Sequence, residues 1–403
     1  MDFKLPPELD ALKLTIRQIV KRECIPLERT FLTRSPDEGR EHEFGESGGI
    51  GTLTDEEYEH LKKISQDTGI YSMHLPEKYG GGGLGAVGAV VVDEEVRRSI
   101  VHLPFSQCPN ILLEYATPEQ AKKYALPCAE GKMVPCFAQT EPQAGSDPGG
   151  MIQTKAVRDG KDWVINGTKM FITSSHIADF MLLQAVTDEA KRQRGGITMF
   201  IVDTKAPGVT MSPIKTWITP ARSAQNFVYL DNVRVPNGNV LGGLGDGFKL
   251  AQQWLAHHDR LMRGSMALGI MVRALEMAVD WSKQRITFGK PISERQAIQW
   301  MLVDIYISIM ALRGITWWNA WRSDQGEDIR VEASMVKYCA GEWGWQSIDK
   351  VLQIFGGLGE TMAMPIPHWY HQLRHARVGG GTSEIHKFIM ARALLSGTVS
   401  WEA

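Results

Sequence analysis

The sequence predicts a mainly α-helical protein with a central β domain, and three observations support this prediction. Apolar residues recur at helical spacing in the first third of the chain and again from about residue 246 onward. Over about 133–240, short alternating segments separated by turn residues indicate strands. A length of 403 residues exceeds what one hydrophobic core usually supports. We therefore expect an N-terminal helical domain (1–132), a β domain (133–240) and a C-terminal helical domain (241–403).

In the N-terminal domain, helical spacing recurs from Leu9 to Ile25 and from Tyr58 to Ile70. The second run follows Thr54-Asp55-Glu56-Glu57, which is a typical start sequence because the Thr and Glu side chains can each bond the other residue's backbone amide. The intervening Ser35 to Gly51 is charged and Gly-rich, so it predicts a surface loop with the composition of a mobile segment.

A glycine-rich run, Tyr79 to Gly85, precedes a predicted helix from Val87 to Ile100. Glycine-rich loops hold phosphates in P-loop proteins, but this run has no strand before it and no Lys-Ser/Thr pair after it. We therefore predict a flexible connector here.

The β domain is predicted from five apolar segments: Ile152 to Val157, Trp163 to Ile165, Phe180 to Val186, Ile197 to Val202 and Phe227 to Val235. Their length and spacing indicate an antiparallel sheet or a small barrel. Within the block from Trp163 to Thr173, the pair Asn166-Gly167 predicts a tight turn that joins two strands. Helical spacing then returns in four segments: Phe248 to Gln284, Glu294 to Arg322, Val331 to Gln353 and Glu384 to Leu395.

Composition limits the partners and the compartment. The formal net charge is −2, so we expect no general polyanion-binding surface and no nucleic-acid partner. Five cysteines without a CxxC pair favour a reducing compartment, and the adjacent His257 and His258 lack the i,i+4 spacing of metal ligands. No run reaches the length of a membrane span, and the acidic start does not suit a presequence. We expect a cytoplasmic protein, although a matrix enzyme whose presequence had been removed would look the same.

Two linked motifs carry a resemblance to a known family. The run Cys136-Phe137-Ala138-Gln139-Thr140-Glu141-Pro142-Gln143-Ala144-Gly145-Ser146-Asp147 and the block from Trp163 to Thr173 resemble the flavin-contacting segments of acyl-CoA dehydrogenases. The helical, sheet, helical order is also the family's, so the resemblance covers nearly the whole chain. It implies the acyl-CoA dehydrogenase fold with a C-terminal four-helix bundle, FAD as cofactor, an acyl-CoA substrate and an electron-transfer flavoprotein as acceptor.

The same resemblance implies which residues hold FAD. Phe137, Gln139 and Thr140 would lie along the isoalloxazine ring, with Phe171 and Thr173 on the neighbouring strand. The block Arg285-Ile286-Thr287-Phe288-Gly289 resembles a segment that reaches the pyrophosphate and adenosine of a neighbouring subunit, where an Arg fork suits phosphate oxygens. The resemblance therefore implies a homo-oligomer, either a dimer or a tetramer. The remaining predicted cofactor residues are Ser146, Gln296, Gln353, Gly356, Gly357, Thr382 and Glu384.

The expected catalytic base is not at its usual place. The family's reaction removes an α proton from the thioester while a β hydrogen leaves as hydride, and many relatives use a Glu just before Gly-Thr as the base. Here that position is Gly380, which cannot accept a proton. Other relatives place the base on the long helix directly before an Arg, which corresponds to Asp259. Because Asp259 precedes Arg263 by four residues, a structural ion pair is the alternative interpretation.

The resemblance also implies substrate contacts at Ser146 and Arg260, and Gly380 would line the substrate cavity. Glycines at 379 and 380 would widen that cavity for a branched, cyclic or bulky acyl group, or else allow a tight turn.

Three hypotheses follow. The first is dehydrogenation of an acyl-CoA with Asp259 as base. The second is changed chemistry, namely removal of an acyl substituent, reduction of an enoyl-CoA or oxidation of a non-CoA substrate. The third is a catalytically silent flavoprotein that serves as a binding or scaffold subunit.

Overall fold

The computed structural model describes residues 4–34, 53–214, 216 and 225–399, and the predicted surface loop Ser35 to Gly51 lies outside them. The predicted capping sequence is confirmed: Thr54 Oγ1 accepts from the amide of Glu57 at 3.2 Å, and the Glu57 carboxylate accepts from the amide of Thr54 at 2.8 Å. The helices that precede the sheet are α1 (Pro7–Ile19), α2 (Glu28–Thr33), α3 (Asp55–Asp67), α4 (Gly85–Val96), α5 (Asn110–Tyr115), α6 (Pro118–Gln120) and α7 (Leu126–Ala129).

The glycine-rich run leads into α4, as predicted for a connector, and two of its glycines lie close to a neighbouring backbone segment. A Cβ at Gly81 would overlap the carbonyl oxygen of Leu75, and a Cβ at Gly82 would lie 3.0 Å from that of Met73. The amide of Gly83 also donates to the carbonyl of Leu75 at 3.0 Å. The glycines are needed because two backbone segments approach closely, and this contact fixes the segment that carries His74.

The central domain contains one seven-stranded sheet in the order β1-β4-β2-β3-β7-β6, with β5 paired to β4. The prediction of an antiparallel sheet was wrong in part, because β1 and β4 pair in parallel. Parallel strands need a crossover, and here β2 and β3 lie in the connection between them. The elements are β1 (Pro135–Ala138), α8 (Pro148–Met151), β2 (Lys155–Asp159), β3 (Asp162–Thr173), β4 (Phe180–Val186), β5 (Ile197–Asp203), β6 (Val209–Pro213) and β7 (Gln225–Pro236).

The predicted turn at Asn166-Gly167 is also wrong, because both residues lie within the single twelve-residue strand β3. β7 pairs with β3 on both sides of this point, and the register shifts between Ile165 and Gly167. The Asn-Gly pair therefore forms a bulge in a continuous strand, since glycine accommodates a local irregularity as well as a turn.

The C-terminal helices form a bundle in which the long helices α10, α11 and α12 pack on one another. The predicted helix from Phe248 to Gln284 is confirmed, with one turn of π-helix at Leu255–Asp259. The sequence prediction missed α13, which has a proline in its first turn, where proline is tolerated. The elements are α9 (Gly247–Trp254), α10 (Arg260–Gln284), β8 (Ile286–Thr287), β9 (Lys290–Pro291), α11 (Gln296–Asp324), α12 (Arg330–Phe355), α13 (Ile366–Ala376) and α14 (Ser383–Leu395).

Helix α11 carries an exposed apolar face. Contrary to our reading of the sequence, it is long and apolar enough to cross a membrane by length and composition alone. It nevertheless packs against α4, α10 and α12. Five of its apolar residues in the first half of the helix are 50–60% exposed, and we call them the α11 stripe: Trp300, Val303, Tyr306, Ile307 and Met310.

Candidate active site

The residues predicted to face the flavin ring are brought together at the ends of β1 and β3. The carbonyl of Thr140 accepts from the amide of Met170 at 2.8 Å, which joins the two strands directly. Phe171 has a φ of 56° and a ring that is 46% exposed. A bulky residue in the left-handed region is rare and often marks a functional site. We call this group the ring cluster; its members are Phe137, Gln139, Thr140, Phe171 and Thr173.

A buried ion pair supports the ring cluster. Lys169 Nζ contacts Glu141 Oε1 at 2.8 Å and donates to the carbonyl of Gln139 at 3.2 Å. Burial lowers the pKa of Lys169 to about 8 despite its carboxylate partner. Burial alone would raise the pKa of Glu141, yet Lys169 and the amides of Gln153 and Thr154 hold it below its usual value. Glu141 therefore pins this loop and cannot replace the missing base.

The side chain of Gln139 is committed to the fold. Its Nε2 donates to Gln184 Oε1 at 2.8 Å, and Gln184 in turn donates to the carbonyl of Gly247 at the start of α9. Only 8% of Gln139 is exposed. Its side chain therefore fixes the position of β1.

A second group of predicted cofactor residues lies at the other end of the bundle. The α10–α11 junction and the end of α12 meet there, because the rings of Trp281 and Phe355 stack 5.4 Å apart. Phe288 is 97% exposed with a φ of 50°, a second bulky residue in the left-handed region. We call this group the arginine cluster; it comprises Arg285, Thr287, Phe288, Gln296, Gln353, Gly356 and Gly357.

The ring cluster and the arginine cluster lie near opposite ends of α10. The 25 residues of α10 separate Arg285 from Asp259, and a helix of that length spans about 37 Å. The ring cluster lies at the Asp259 end, because the rings of Phe137 and Trp254 are 4.8 Å apart and Trp254 precedes Asp259 by one turn of π-helix.

Asp259 ends the π-helical turn, an irregularity that often occurs at functional sites because it redirects side chains. Its Oδ1 contacts Arg263 Nη2 at 3.1 Å, which is the predicted ion pair. Its Oδ2 is buried and has no hydrogen-bond partner within the described residues. The two interpretations of Asp259 are therefore compatible, since one oxygen makes the ion pair and the other is available.

The free oxygen of Asp259 points to Gly380. A Cβ built at Gly380 would lie 2.9 Å from Asp259 Oδ2, and the φ of Gly380 is 70°. A side chain at position 380 would therefore collide with the carboxylate and also adopt an unfavourable backbone conformation. The carboxylate of Asp259 therefore occupies the space that a side chain at position 380 would need. Thr382 and Glu384 follow this glycine at the start of α14.

The sequence analysis missed Lys337, which lies under this glycine loop. Its Nζ donates to the carbonyl of Gly381 at 2.7 Å and to that of Ala376. Burial, together with the charges of Arg263 and Arg260, lowers the pKa of Lys337 to about 7. A signal was present in the sequence, because Lys337 occupies a core-facing position of α12 and a buried lysine is rare.

Two cavities meet beside Asp259. We call the smaller one the chamber: it measures about 140 Å³, and Asp259, Arg263 and Met266 are among its lining residues. The larger one, the channel, measures about 880 Å³ and extends along α9 to Gln193 and Asp328. Five residues line both cavities: His74, Ala89, Trp254, His258 and Met262. All three predicted substrate contacts, Ser146, Arg260 and Gly380, are absent from the linings of these two cavities, and Arg260 is only 5% exposed.

The arginine cluster fits the phosphate side of a dinucleotide cofactor. A Cβ at Gly356 or Gly357 would meet nothing within 4 Å, so the backbone there is open to a ligand. Arg285 is exposed beside it. An Arg fork and open glycine amides form a donor set for pyrophosphate, while the ring cluster offers aromatic cover for a flavin.

Comparison with known proteins identifies three matching family models. The acyl-CoA dehydrogenase N-terminal domain matches residues 59–132, the middle domain residues 136–233 and the C-terminal domain residues 245–395. Together with the structural similarity below, these matches confirm the predicted fold.

Individual relatives are similar over nearly their whole length. The chain is 33% identical to (R)-benzylsuccinyl-CoA dehydrogenase of Thauera aromatica, over 98% of this chain and 97% of that protein. It is 36% identical to 3-(aryl)acrylate reductase of Clostridium sporogenes, over 83% and 89% respectively. The structure of butyryl-CoA dehydrogenase from Megasphaera elsdenii superposes with a TM-score of 0.84 at 28% identity, over 98% of this chain and 100% of that one.

Proposed function

Because the chain belongs to the acyl-CoA dehydrogenase family, we propose that it dehydrogenates an acyl-CoA thioester between the α and β carbons, with Asp259 as the base. One observation carries the assignment of the base: Asp259 Oδ2 is buried, has no partner in the described part of the chain, and points to the space beside Gly380. Family membership makes the chain a flavin oxidoreductase that acts on CH–CH groups, with FAD as its cofactor.

In the proposed reaction, Asp259 Oδ2 accepts the α proton while Oδ1 remains bound to Arg263. When bound, FAD supplies the acceptor for the hydride that leaves the β carbon. The ring cluster holds the flavin, and the channel takes the CoA arm of the substrate. A buried oxygen without a hydrogen bond is a strong acceptor because no protein donor competes for its lone pairs.

We also propose an electron-transfer flavoprotein as the electron acceptor, a cytoplasmic location, and a branched, cyclic or bulky acyl group. Enoyl-CoA reduction is the second candidate, because a relative bears the name 3-(aryl)acrylate reductase. Both directions use the same proton and hydride positions.

The test is to mix the flavin-loaded protein anaerobically with linear, branched and cyclic acyl-CoAs and to follow flavin absorbance. Bleaching by a saturated thioester, with formation of one equivalent of enoyl-CoA, is the expected result. A flavin that no saturated thioester bleaches, but that is reoxidised by an enoyl-CoA after chemical reduction, would favour the reductase. A flavin that responds to neither would leave the silent flavoprotein.

We also propose that two copies of the chain form each FAD site, with the arginine cluster of one copy completing the ring cluster of the other. The length of α10 supports this arrangement, because the two groups lie near opposite ends of this helix, which is about 37 Å long. The α11 stripe begins near Gln296, beside the arginine cluster, and a second copy would cover it. An apolar stripe of this kind is typical of a protein interface. The assembly would be a dimer or a tetramer.

Two variants separate cofactor contact from assembly. Ile307→Glu places a charge in the α11 stripe, so it should dissociate the oligomer and release FAD, as measured by light scattering and by the flavin-to-protein absorbance ratio. Arg285→Met should weaken FAD binding about 10- to 100-fold through the loss of charge-assisted bonds, while the oligomer persists. Val157→Glu, on an exposed strand residue, is the control for Ile307→Glu. Full FAD retention in an Ile307→Glu monomer would refute the shared site.

A further inference from the structure

The wall of the chamber is built from aromatic rings that follow one another in a series. The ring centroids of Phe105 and His74 are 6.5 Å apart at 87°, and those of His74 and His258 are 6.5 Å apart. His258 stacks on Trp254 at 6.5 Å and 25°, and Trp254 lies 4.8 Å from Phe137 in the ring cluster. Four of these five rings line the chamber, and the fifth belongs to the proposed flavin site.

The size of the chamber selects a compact group. Its volume is about 140 Å³. An apolar protein cavity of roughly 150 Å³ is known to accept benzene, so one six-membered ring fills such a space. A long linear acyl chain needs a deeper tunnel than this.

Apart from Asp259 Oδ2, the carboxylate oxygens of the chamber are already paired. Asp93 Oδ1 accepts from Arg97 Nε at 2.9 Å, and its Oδ2 accepts from the Ser265 hydroxyl at 2.6 Å. Arg263 is paired with Asp259. Burial and the neighbouring His258 lower the pKa of His74 to about 4, so its ring is neutral near pH 7. The ring faces and edges are therefore the surfaces best suited to contact a substrate.

We propose that the acyl group carries an aromatic ring at its β carbon, and that this ring occupies the chamber between Phe105, His74 and Trp254. The substrate class is then a 3-arylpropanoyl thioester. This inference rests on the proposed function, because Asp259 must lie at the α carbon for the ring to reach the chamber. Asp259 and the rings line the same small cavity, so a ring only one carbon beyond the reacting α carbon suits the geometry.

An aromatic ring should bind more tightly in the chamber than an aliphatic ring of the same size. Edge-to-face and offset-stacked pairs contribute beyond their buried area, by a factor of about 2 to 12 in binding. Loss of the two hydrogens also places the new double bond in conjugation with the ring, which favours the product. A saturated cyclohexyl group fills the same space but makes no aromatic pairs and gives no conjugated product.

The test compares three thioesters on the flavin-loaded oligomer: 3-phenylpropanoyl-CoA, 3-cyclohexylpropanoyl-CoA and hexanoyl-CoA. Anaerobic stopped-flow absorbance gives the second-order rate constant of flavin reduction for each. We expect the phenyl substrate to exceed the cyclohexyl substrate at least fivefold and hexanoyl-CoA by more. Equal rates, or a preference for hexanoyl-CoA, would overturn the inference while leaving the proposed function intact. If no thioester reduces the flavin, the proposed function itself fails.

A variant locates the preference in the chamber. Phe105→Leu removes one ring, so the phenyl-to-cyclohexyl rate ratio should fall about 2- to 12-fold. Phe388→Leu makes the same change at an exposed ring of α14 outside both cavity linings, and it should leave the ratio unchanged. An unchanged ratio in Phe105→Leu would place the selectivity elsewhere and refute this assignment. The three-substrate comparison on the unmodified protein tests the substrate class even if the variant fails to fold.

Discussion

Asp259→Asn should slow flavin reduction by the acyl-CoA substrate by about 10²- to 10⁴-fold, which is the usual contribution of a positioned general base. Asparagine has the same shape as aspartate and can still accept from Arg263 Nη2 through its amide oxygen. It removes the one chemical property that the proposal needs, a basic oxygen that faces Gly380. The measurement is the anaerobic bleaching rate at saturating substrate. Because the variant keeps the side-chain volume, its FAD content should equal that of the unmodified protein.

Two further variants serve as comparisons for Asp259→Asn. Asp280→Asn, on an exposed residue near the far end of α10, makes the same chemical change away from the site and should leave the bleaching rate unaltered. Asp259→Glu should retain measurable activity, because it keeps a carboxylate at this position. Its rate should still be lower, since a displacement of about 1 Å can cost on the order of a hundredfold. Full activity in Asp259→Asn would show that Asp259 serves only the ion pair.

The fold could be predicted from the sequence wherever one local signal determined one structure. The periodicity of Phe248 to Gln284 and the capping pair Thr54 and Glu57 are such signals, and both predictions are confirmed. Asn166-Gly167 was misread because the same dipeptide suits a turn or a bulge, and pairing with the distant β7 decides between them. The parallel pairing of β1 with β4 likewise depends on contacts between segments far apart in sequence.

For the candidate site, the sequence predicted residues that belong to motifs but not their arrangement in space. Asp259 and Gly380 were chosen from motif positions about 120 residues apart, and only the structure brings the carboxylate to the glycine. The roles of Lys337 and His74 escaped the sequence analysis because neither residue belongs to a motif. The significance of Lys337 comes from its bond to the glycine loop after α13, and that of His74 from its place in the chamber lining. Motifs identify backbone shapes that bind a common cofactor, whereas the chamber depends on side chains drawn from several elements.

Gly380→Ala should slow flavin reduction on the order of a hundredfold without removing any functional group. The new Cβ would lie 2.9 Å from Asp259 Oδ2, closer than carbon and oxygen normally approach, so the carboxylate must move. A displacement of about 1 Å at a reacting group has an effect of that size. Alanine at a φ of 70° should also lower the free energy of unfolding by about 1 to 2 kcal/mol.

Gly160→Ala separates backbone strain from the effect on Asp259. Gly160 has a φ of 63° in the turn between β2 and β3, and a Cβ there would meet nothing within 4 Å. Both alanine variants should lose similar stability in denaturant titrations, but only Gly380→Ala should lose activity. Equal bleaching rates in the two variants would show that position 380 does not control the carboxylate.

The double variant Asp259→Ala with Gly380→Glu tests whether the two positions can exchange roles. Removing the carboxylate at 259 opens the space that a side chain at 380 needs, and glutamate restores a base to the position that many relatives use. We expect the double variant to reduce its flavin at least tenfold faster than Asp259→Ala alone. Gly380→Glu alone should be slower than the unmodified protein, because two carboxylates would then compete for one space and repel each other. Gly380→Glu should therefore lower the rate when Asp259 is present and raise it when Asp259 is absent. Two independent structural defects cannot produce this reversal, because their effects would simply add.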